Sequence, residues 1–256
     1  MRWLAAARDA LTSVLLPADC RICNKVLLHA LRVPICQDCL DSFHSMPERI
    51  CQVCSQPKET WTTQLDEADL CPACQVGTFA FERLRSLAIY EDAVVRAILM
   101  LKFERIEPLG RWFGGQLAEL VRGQGGLLDA DIVVPVPLHR DRERSRGYNQ
   151  AQLISQPLAK QLTLPHRPIL LMRTKPRPAK QILTTRERWD AVRGAFATRR
   201  GTQVDNLRVL LVDDVVTTGA TLDSCARALL EAGAKSVVGV AVARAMRSPL
   251  PVARES

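Results

Sequence analysis

Two adjacent carboxylates, Asp213 and Asp214, follow four aliphatic residues, Val209 to Val212. Two residues later comes the run Thr217, Thr218, Gly219, Ala220, Thr221. An apolar run bounded by polar residues reads as a buried strand, and the residues from about 220 to 232 read as a helix ended by Gly233. A tight turn leading into a helix N-terminus points backbone N–H groups at one place, which makes an anion cradle. Gly219 permits the tight backbone and a phosphate's close approach. Thr217, Thr218 and Thr221 add hydroxyl donors. The carboxylates repel a phosphate, so hydroxyl groups or a magnesium ion suit them. Together these residues ask for a ligand with a phosphate at one end and a diol about one sugar away, as in a ribose 5-phosphate. The plain alternative is a strand-turn-helix corner with no ligand. A Walker A loop is excluded because no Gly-Lys-Ser/Thr follows, and a Rossmann loop because no GxGxxG follows a strand.

A second chemistry lies near the N-terminus. Eight of the 9 cysteines form four CxxC pairs: Cys20/Cys23, Cys36/Cys39, Cys51/Cys54 and Cys71/Cys74. The pairs are separated by 12, 11 and 16 residues. One CxxC turn aims two thiolates at one ion, and two turns complete a tetrahedral zinc site. Four pairs suit two structural zinc ions, with neighbouring pairs combined or, alternatively, cross-braced. A redox role is the bland alternative. Each zinc with four thiolates carries a formal charge of about −2, so metal loading makes this segment more acidic. A DNA-gripping ribbon is normally basic; this one reads as structural or protein-binding.

The chain has 256 residues, 47% hydrophobic and 24% charged, which excludes a disordered polymer. The net charge of +8 is uneven. Residues 1–74 hold 7 basic and 9 acidic side chains, whereas residues 138–208 hold 16 basic and 5 acidic ones. The excess therefore points to an anionic partner for the later segment alone. No run approaches the ~18 apolar residues of a membrane span. Trp3, Ala7, Leu11, Val14 and Leu15 recur at helical spacing, and Arg8 and Asp9 break any leader-like stretch, so a cytoplasmic location is expected.

These groups need a scaffold. Strands are expected at 86–90, 131–136, 207–212 and 236–243, with helices at 92–103, 109–122 and 149–163 as well as 220–232. Alternation of this kind predicts a mostly parallel sheet flanked by helices, with ligands beyond the carboxyl ends of the strands. Residues 1–78 read as an N-terminal helix with a double zinc ribbon, 79–244 as the α/β domain, and 245–256 as a loose tail. The loop after 131–136 carries Arg140, Arg142, Arg144 and Arg146 and ends at Gly147. These arginines are either a solvated face balanced by Asp141 and Glu143, or donors to an anion, with Arg146 and Gly147 foremost. Tyr148 and Trp189 either stack on a base or pack against helices. Lys102 either snorkels or touches a phosphate. His139 reads as a surface residue and Cys225 as a small buried hydrophobe.

The stretch VLLVDDVVTTGAT (209–221) resembles the phosphoribosyl pyrophosphate (PRPP) signature of type I phosphoribosyltransferases. That resemblance implies that Asp213 and Asp214 contact the ribose hydroxyls, that Thr217, Thr218, Gly219, Ala220 and Thr221 hold the 5-phosphate, and that magnesium accompanies PRPP. The segments LKF (101–103), PVPLHRDRERSRGYNQAQ (135–152), and Gln181 with RERWDAVRGAF (186–196) resemble the ComF family. These are phosphoribosyltransferase-like proteins with a double zinc ribbon, linked to DNA uptake in natural transformation; the GntX proteins share the architecture. The likeness runs from Trp3 to Arg244. Tyr148 stands where phenylalanine is expected and Ala191 where asparagine is expected. The resemblance implies a type I phosphoribosyltransferase-like fold behind a zinc-ribbon domain. It leaves two readings open. One is a magnesium-dependent phosphoribosyltransferase. The other is a non-catalytic module that senses PRPP or a nucleotide, or grips single-stranded DNA beside DNA-uptake proteins.

Overall fold

The computed structural model describes residues 18–27, 33–58, 69–176 and 184–246. The expected N-terminal helix, Gln181 and nearly all of the expected tail lie outside the described residues.

The centre is a four-stranded sheet in which every neighbouring pair is parallel. Its strands are β3 (Arg83–Ile89), β4 (Ile132–Pro135), β7 (Arg208–Val216) and β8 (Ser236–Arg244). They lie in the order β3-β8-β7-β4, so β7 and β8 are interior. Interior strands of a covered parallel sheet must be apolar on both faces, and Val209, Leu210, Leu211 and Val212 are all fully buried. One face is covered by α8 (Ala220–Glu231). The other is covered by α3 (Asp92–Phe103), α4 (Glu107–Arg122) and α6 (Gln150–Leu162). Two glycines let α4 lie close to α6. A Cβ on Gly114 would stand 2.5 Å from the Ile154 carbonyl oxygen, and one on Gly110 would stand 2.9 Å from the Leu153 Cβ.

The ribbon segment brings a two-residue ladder, β1 (Ala18–Asp19) with β2 (Val26–Leu27), and two short helices, α1 (Gln37–Asp41) and α2 (Pro72–Gln75). Ribbon residues bind the backbone of β3, the edge strand. Ser45 bridges Ala88, the Ile89 N–H donates to His44 at 2.9 Å, and the Leu84 N–H donates to Val53 at 2.7 Å. A bare strand edge invites foreign strands; here the ribbons occupy it. Cys20, Cys36 and Cys39 of the first ribbon join the apolar cluster under α3 and α4, and all four cysteines of the second join the cluster under α8.

Four features depart from the sequence expectations. β7 runs through the acidic pair to Val216 instead of ending at residue 212, because β8 continues alongside it. β3 begins at Arg83, earlier than residue 86, since its arginines bond to the second ribbon. The arginine-rich stretch is a helix, α5 (Arg140–Arg146), capped by the His139 side chain and closed by Gly147 at φ +84. A small antiparallel pair, β5 (Leu171–Arg173) with β6 (Phe196–Thr198), and the helix α7 (Thr185–Asp190) complete the chain.

Candidate functional site

The site forms where β7 gives way to α8. Along β7, Val209 and Leu211 enter the cluster under α8, whereas Leu210 and Val212 enter the cluster under α3, α4 and α6. Side chains alternate along a strand. By that alternation Asp213 leaves toward α8 and Asp214 toward α3, while their carboxyl groups stay in contact with each other. Asp214 forms an ion pair with Lys102 at the end of α3. An Asp213 oxygen accepts the Asp214 N–H at 2.8 Å. Burial, with the neighbouring Asp214 charge second, pushes the Asp213 carboxyl well above the usual range, and Lys102 opposes the rise.

Val215 and Val216 carry the strand on to the turn. Gly219 sits at φ +83 as the N-cap of α8. A Cβ there would lie 2.8 Å from the Phe79 ring, so the glycine is required by both its dihedral and its neighbour. Helix geometry leaves the amides of the first turn without helical acceptors. The Ala220 N–H is taken by Thr218 Oγ1 at 3.3 Å. Thr221 and Leu222 lie in the same first turn of the helix. Thr217 Oγ1 accepts from Arg188 of α7 at 3.2 Å. Further along α8, Asp223 accepts the Ala80 N–H at 2.7 Å and Arg227 at 2.8 Å, which ties the helix to the segment leaving the ribbons.

A cleft of about 310 Å³ opens beside Asp214, lined by Lys102, Phe103, Arg105, Arg142, Ser145, Arg146 and Tyr148. The structure thus brings Lys102, Arg146 and Tyr148 together from segments distant in the chain. Gly147 adjoins them; its absent Cβ leaves room for Arg105, whose Nη2 donates to the Arg146 carbonyl at 3.2 Å. Burial lowers the Arg146 pKa while Asp214 opposes the change. The Tyr148 hydroxyl donates to the Leu101 carbonyl, and burial raises its pKa. Trp189 packs on Phe79, ring centroids 5.8 Å apart. Trp189 thus takes its packing alternative, whereas Tyr148 is anchored by its hydroxyl and still lines the cleft. Phe103 was not singled out; the residue is 69% exposed, and the Arg146 guanidinium stands 5.1 Å from its ring centroid. Cys225 is fully buried.

The cysteines gather as two groups of four, Cys20, Cys23, Cys36 and Cys39, then Cys51, Cys54, Cys71 and Cys74, so neighbouring pairs combine. Tetrahedral zinc with bonds of ~2.3 Å separates its sulfurs by roughly 3.8 Å. The Cys20–Cys39 sulfurs are 3.8 Å apart, and Cys23–Cys36 and Cys54–Cys71 are each 3.6 Å apart. The donor sets fit zinc. The two sites also repeat one local design. The Cys20 and Cys51 N–H groups each donate five residues ahead at 2.8 Å. Their sulfurs accept the Cys36 and Cys71 N–H groups, each at 3.3 Å. Within the second group, contact with Cys54 draws the Cys51 thiol down, and contact with Cys51 pushes the Cys74 thiol up. Burial, then the neighbouring Arg83, draws the Arg85 guanidinium down to about 10, against the pull of Cys51 and Cys54.

A parallel sheet ending in an acidic strand and glycine turn, fronted by two four-cysteine centres, defines a double zinc ribbon joined to a phosphoribosyltransferase-like domain. Residues 11–75 match the double zinc ribbon domain and residues 130–254 the phosphoribosyl transferase domain. The chain is 32% identical to the DNA utilization protein YhgH of Escherichia coli K12, across 73% of this chain and 87% of that protein. It is 27% identical to competence protein F of Haemophilus influenzae, over 85% and 93% of the two chains. With competence protein ComFC of Bacillus subtilis the identity is 26%, over 78% and 79%. The chain belongs to the ComF family.

Proposed function

We propose that this protein binds PRPP, or a related ribose 5-phosphate, at the β7–α8 turn, and that it serves DNA uptake or utilisation, as the names of its relatives suggest. The observation that carries the reading is the juxtaposition of Asp214, its Lys102 partner and the Gly219 turn at the carboxyl end of β7. The turn's amides and threonine hydroxyls hold the 5-phosphate. Asp214 meets the ribose hydroxyls, and Asp213 braces it through the Asp214 amide. Lys102 and Arg146 neutralise the pyrophosphate. Magnesium bound with PRPP supplies further positive charge at the leaving group. Catalysis in such a site consists of positioning and charge stabilisation, with no covalent residue. Residues 79–244 form the ligand-binding unit on this reading, and residues 1–78 its metal-stapled support. Reduced thiols at both metal centres suit the cytoplasm. No described helix is long and apolar enough to cross a membrane.

Calorimetry with PRPP and magnesium tests the site. The Asp213→Asn/Asp214→Asn variant is expected to bind at least tenfold more weakly with its fold intact; unchanged affinity refutes the assignment. Pyrophosphate release across the common nucleobases then separates an enzyme from a binding module.

A second reading, a grip on single-stranded DNA, is favoured by Phe103. An exposed ring among Arg105, Arg142 and Arg146 offers a stacking face with phosphate donors around it. On this reading Phe103→Ala weakens oligonucleotide binding about tenfold, and affinity falls steeply with salt. A flat salt response excludes it.

A further inference from the structure

Arg244 is the largest fully buried side chain described in the protein, with 0% exposure at the carboxyl end of β8. A guanidinium out of water needs a counter-charge and hydrogen-bond acceptors. Its Nη2 donates to Gln56 Oε1 at 3.1 Å and to Cys54 Sγ at 3.8 Å. Gln56 and Cys54 both belong to the second ribbon. Arg85 is the other buried arginine among the described residues, and it also turns to this ribbon: it donates to the Gln52 carbonyl at 3.0 Å and to Gln52 Oε1 at 3.1 Å. The first ribbon is served differently. Its neighbouring cations, Lys25 paired with Asp38 and Arg21 paired with Glu104, are exposed. Two centres of the same four-thiolate composition thus differ in their cations, buried at the second and exposed at the first.

We propose that Arg244 is the internal counter-ion of the second metal centre and fastens that centre to the end of the sheet that leads into the Gly219 turn. A zinc ion with four thiolates carries two negative charges, and Arg244 touches one of the four sulfurs, that of Cys54. The connection onward is short. Arg244 lies in register with Ile89 on one side and with Val216 on the other. Its carbonyl accepts the Tyr90 N–H at 2.8 Å, and the next residue's N–H donates to the Val216 carbonyl at 2.8 Å. Val216 is the last residue of β7. Metal in the second ribbon therefore supports, through Arg244, the strand ends that frame the candidate site. The charge pairing holds whatever ligand the turn binds.

Cadmium-113 NMR of the full-length, cadmium-substituted protein resolves the two centres. Arg244→Leu is expected to shift one resonance and leave the other in place. Competition with a chromophoric chelator is expected to show one zinc weakened about 10- to 100-fold, the range for lost partners around metal ligands. Arg244→Lys, which keeps the charge, should retain more of that affinity. Equal effects on both centres, or zinc affinities within twofold of the unsubstituted protein, overturn the proposal. A second measurement needs no substitution. Under a chelator titration of the unsubstituted protein, hydrogen exchange at Tyr90 and Ala245 should accelerate as the second zinc leaves. Protection that persists after both ions are gone overturns it equally.

Discussion

Replacing Gly219 with alanine isolates the feature on which the candidate site turns. The residue sits at φ +83, where an L side chain costs about 1–2 kcal/mol. The new Cβ would also meet Phe79 at 2.8 and 3.2 Å. Phe79 cannot swing aside freely, because it stacks on Phe81 at 4.7 Å and leans on Trp189 at 5.8 Å. Overpacking against a held ring costs about 1–3 kcal/mol. The expected loss is therefore about 2–5 kcal/mol, the sum of the backbone strain and the overlap. Gly77→Ala is the control: its φ is +65 but nothing lies within 4 Å of its Cβ, so only the backbone cost applies. Urea denaturation in excess zinc reads the difference, and a double-mutant cycle with Phe79→Leu reads the overlap as a coupling of about 1–3 kcal/mol. PRPP affinity should fall with Gly219→Ala even at temperatures where the variant is fully folded. If the variant lies within 0.5 kcal/mol of its Gly77→Ala counterpart, or shows no coupling to Phe79, the steric account of the turn is wrong.

Lys102→Met leaves Asp214 buried without its cation, and calorimetry should show PRPP binding at least tenfold weaker while the far-ultraviolet circular dichroism is unchanged. Asp213→Asn should raise stability while weakening PRPP binding. The Asp213 carboxyl is driven up in the folded state, so the stability tied to its neutral form is present below the unfolded value of about 3.9 and is lost as pH rises through the folded value. The variant's advantage in melting temperature should accordingly grow with pH above about 4, and an advantage independent of pH contradicts the assigned cause. Elemental analysis should find two zinc ions per chain, one for each cysteine group. Their removal should make the ribbon residues protease-sensitive and speed exchange in β3.

What the sequence reveals depends on how local the cause is. β7 and α8 are legible because an aliphatic run, a glycine N-cap and Gly233 are all near-neighbour signals. The CxxC turns are legible because metal geometry fixes their spacing. The α5 helix is not, since Arg140 to Arg146 presents no apolar stripe and none of its residues is buried. The three-residue strands β5 and β6 are too short to show a period. Arg85 and Arg244 carry no local signal of their burial, because their partners Gln52 and Cys54 lie 33 and 190 residues away in the chain. The Lys102–Asp214 pair joins α3 to β7 and has no local trace at all. The aromatics show the same limit. The sequence left Tyr148 and Trp189 open between stacking on a base and packing; Trp189 packs on Phe79, Tyr148 lines the cleft with its hydroxyl on Leu101, and the exposed Phe103 left no signal.

The pairing of β3 with β8 has a consequence for biosynthesis. Arg83 lies opposite Val238 in the finished sheet. At a translation rate of about 5–20 residues per second, the ribosome delivers the partner roughly 10–30 s after β3 emerges. Through that interval ribbon residues are the described partners along the nascent strand's backbone edge. A cell starved of zinc would then release a strand with neither border guarded, and the damage would surface as insoluble newly made protein before any mature molecule lost its metal.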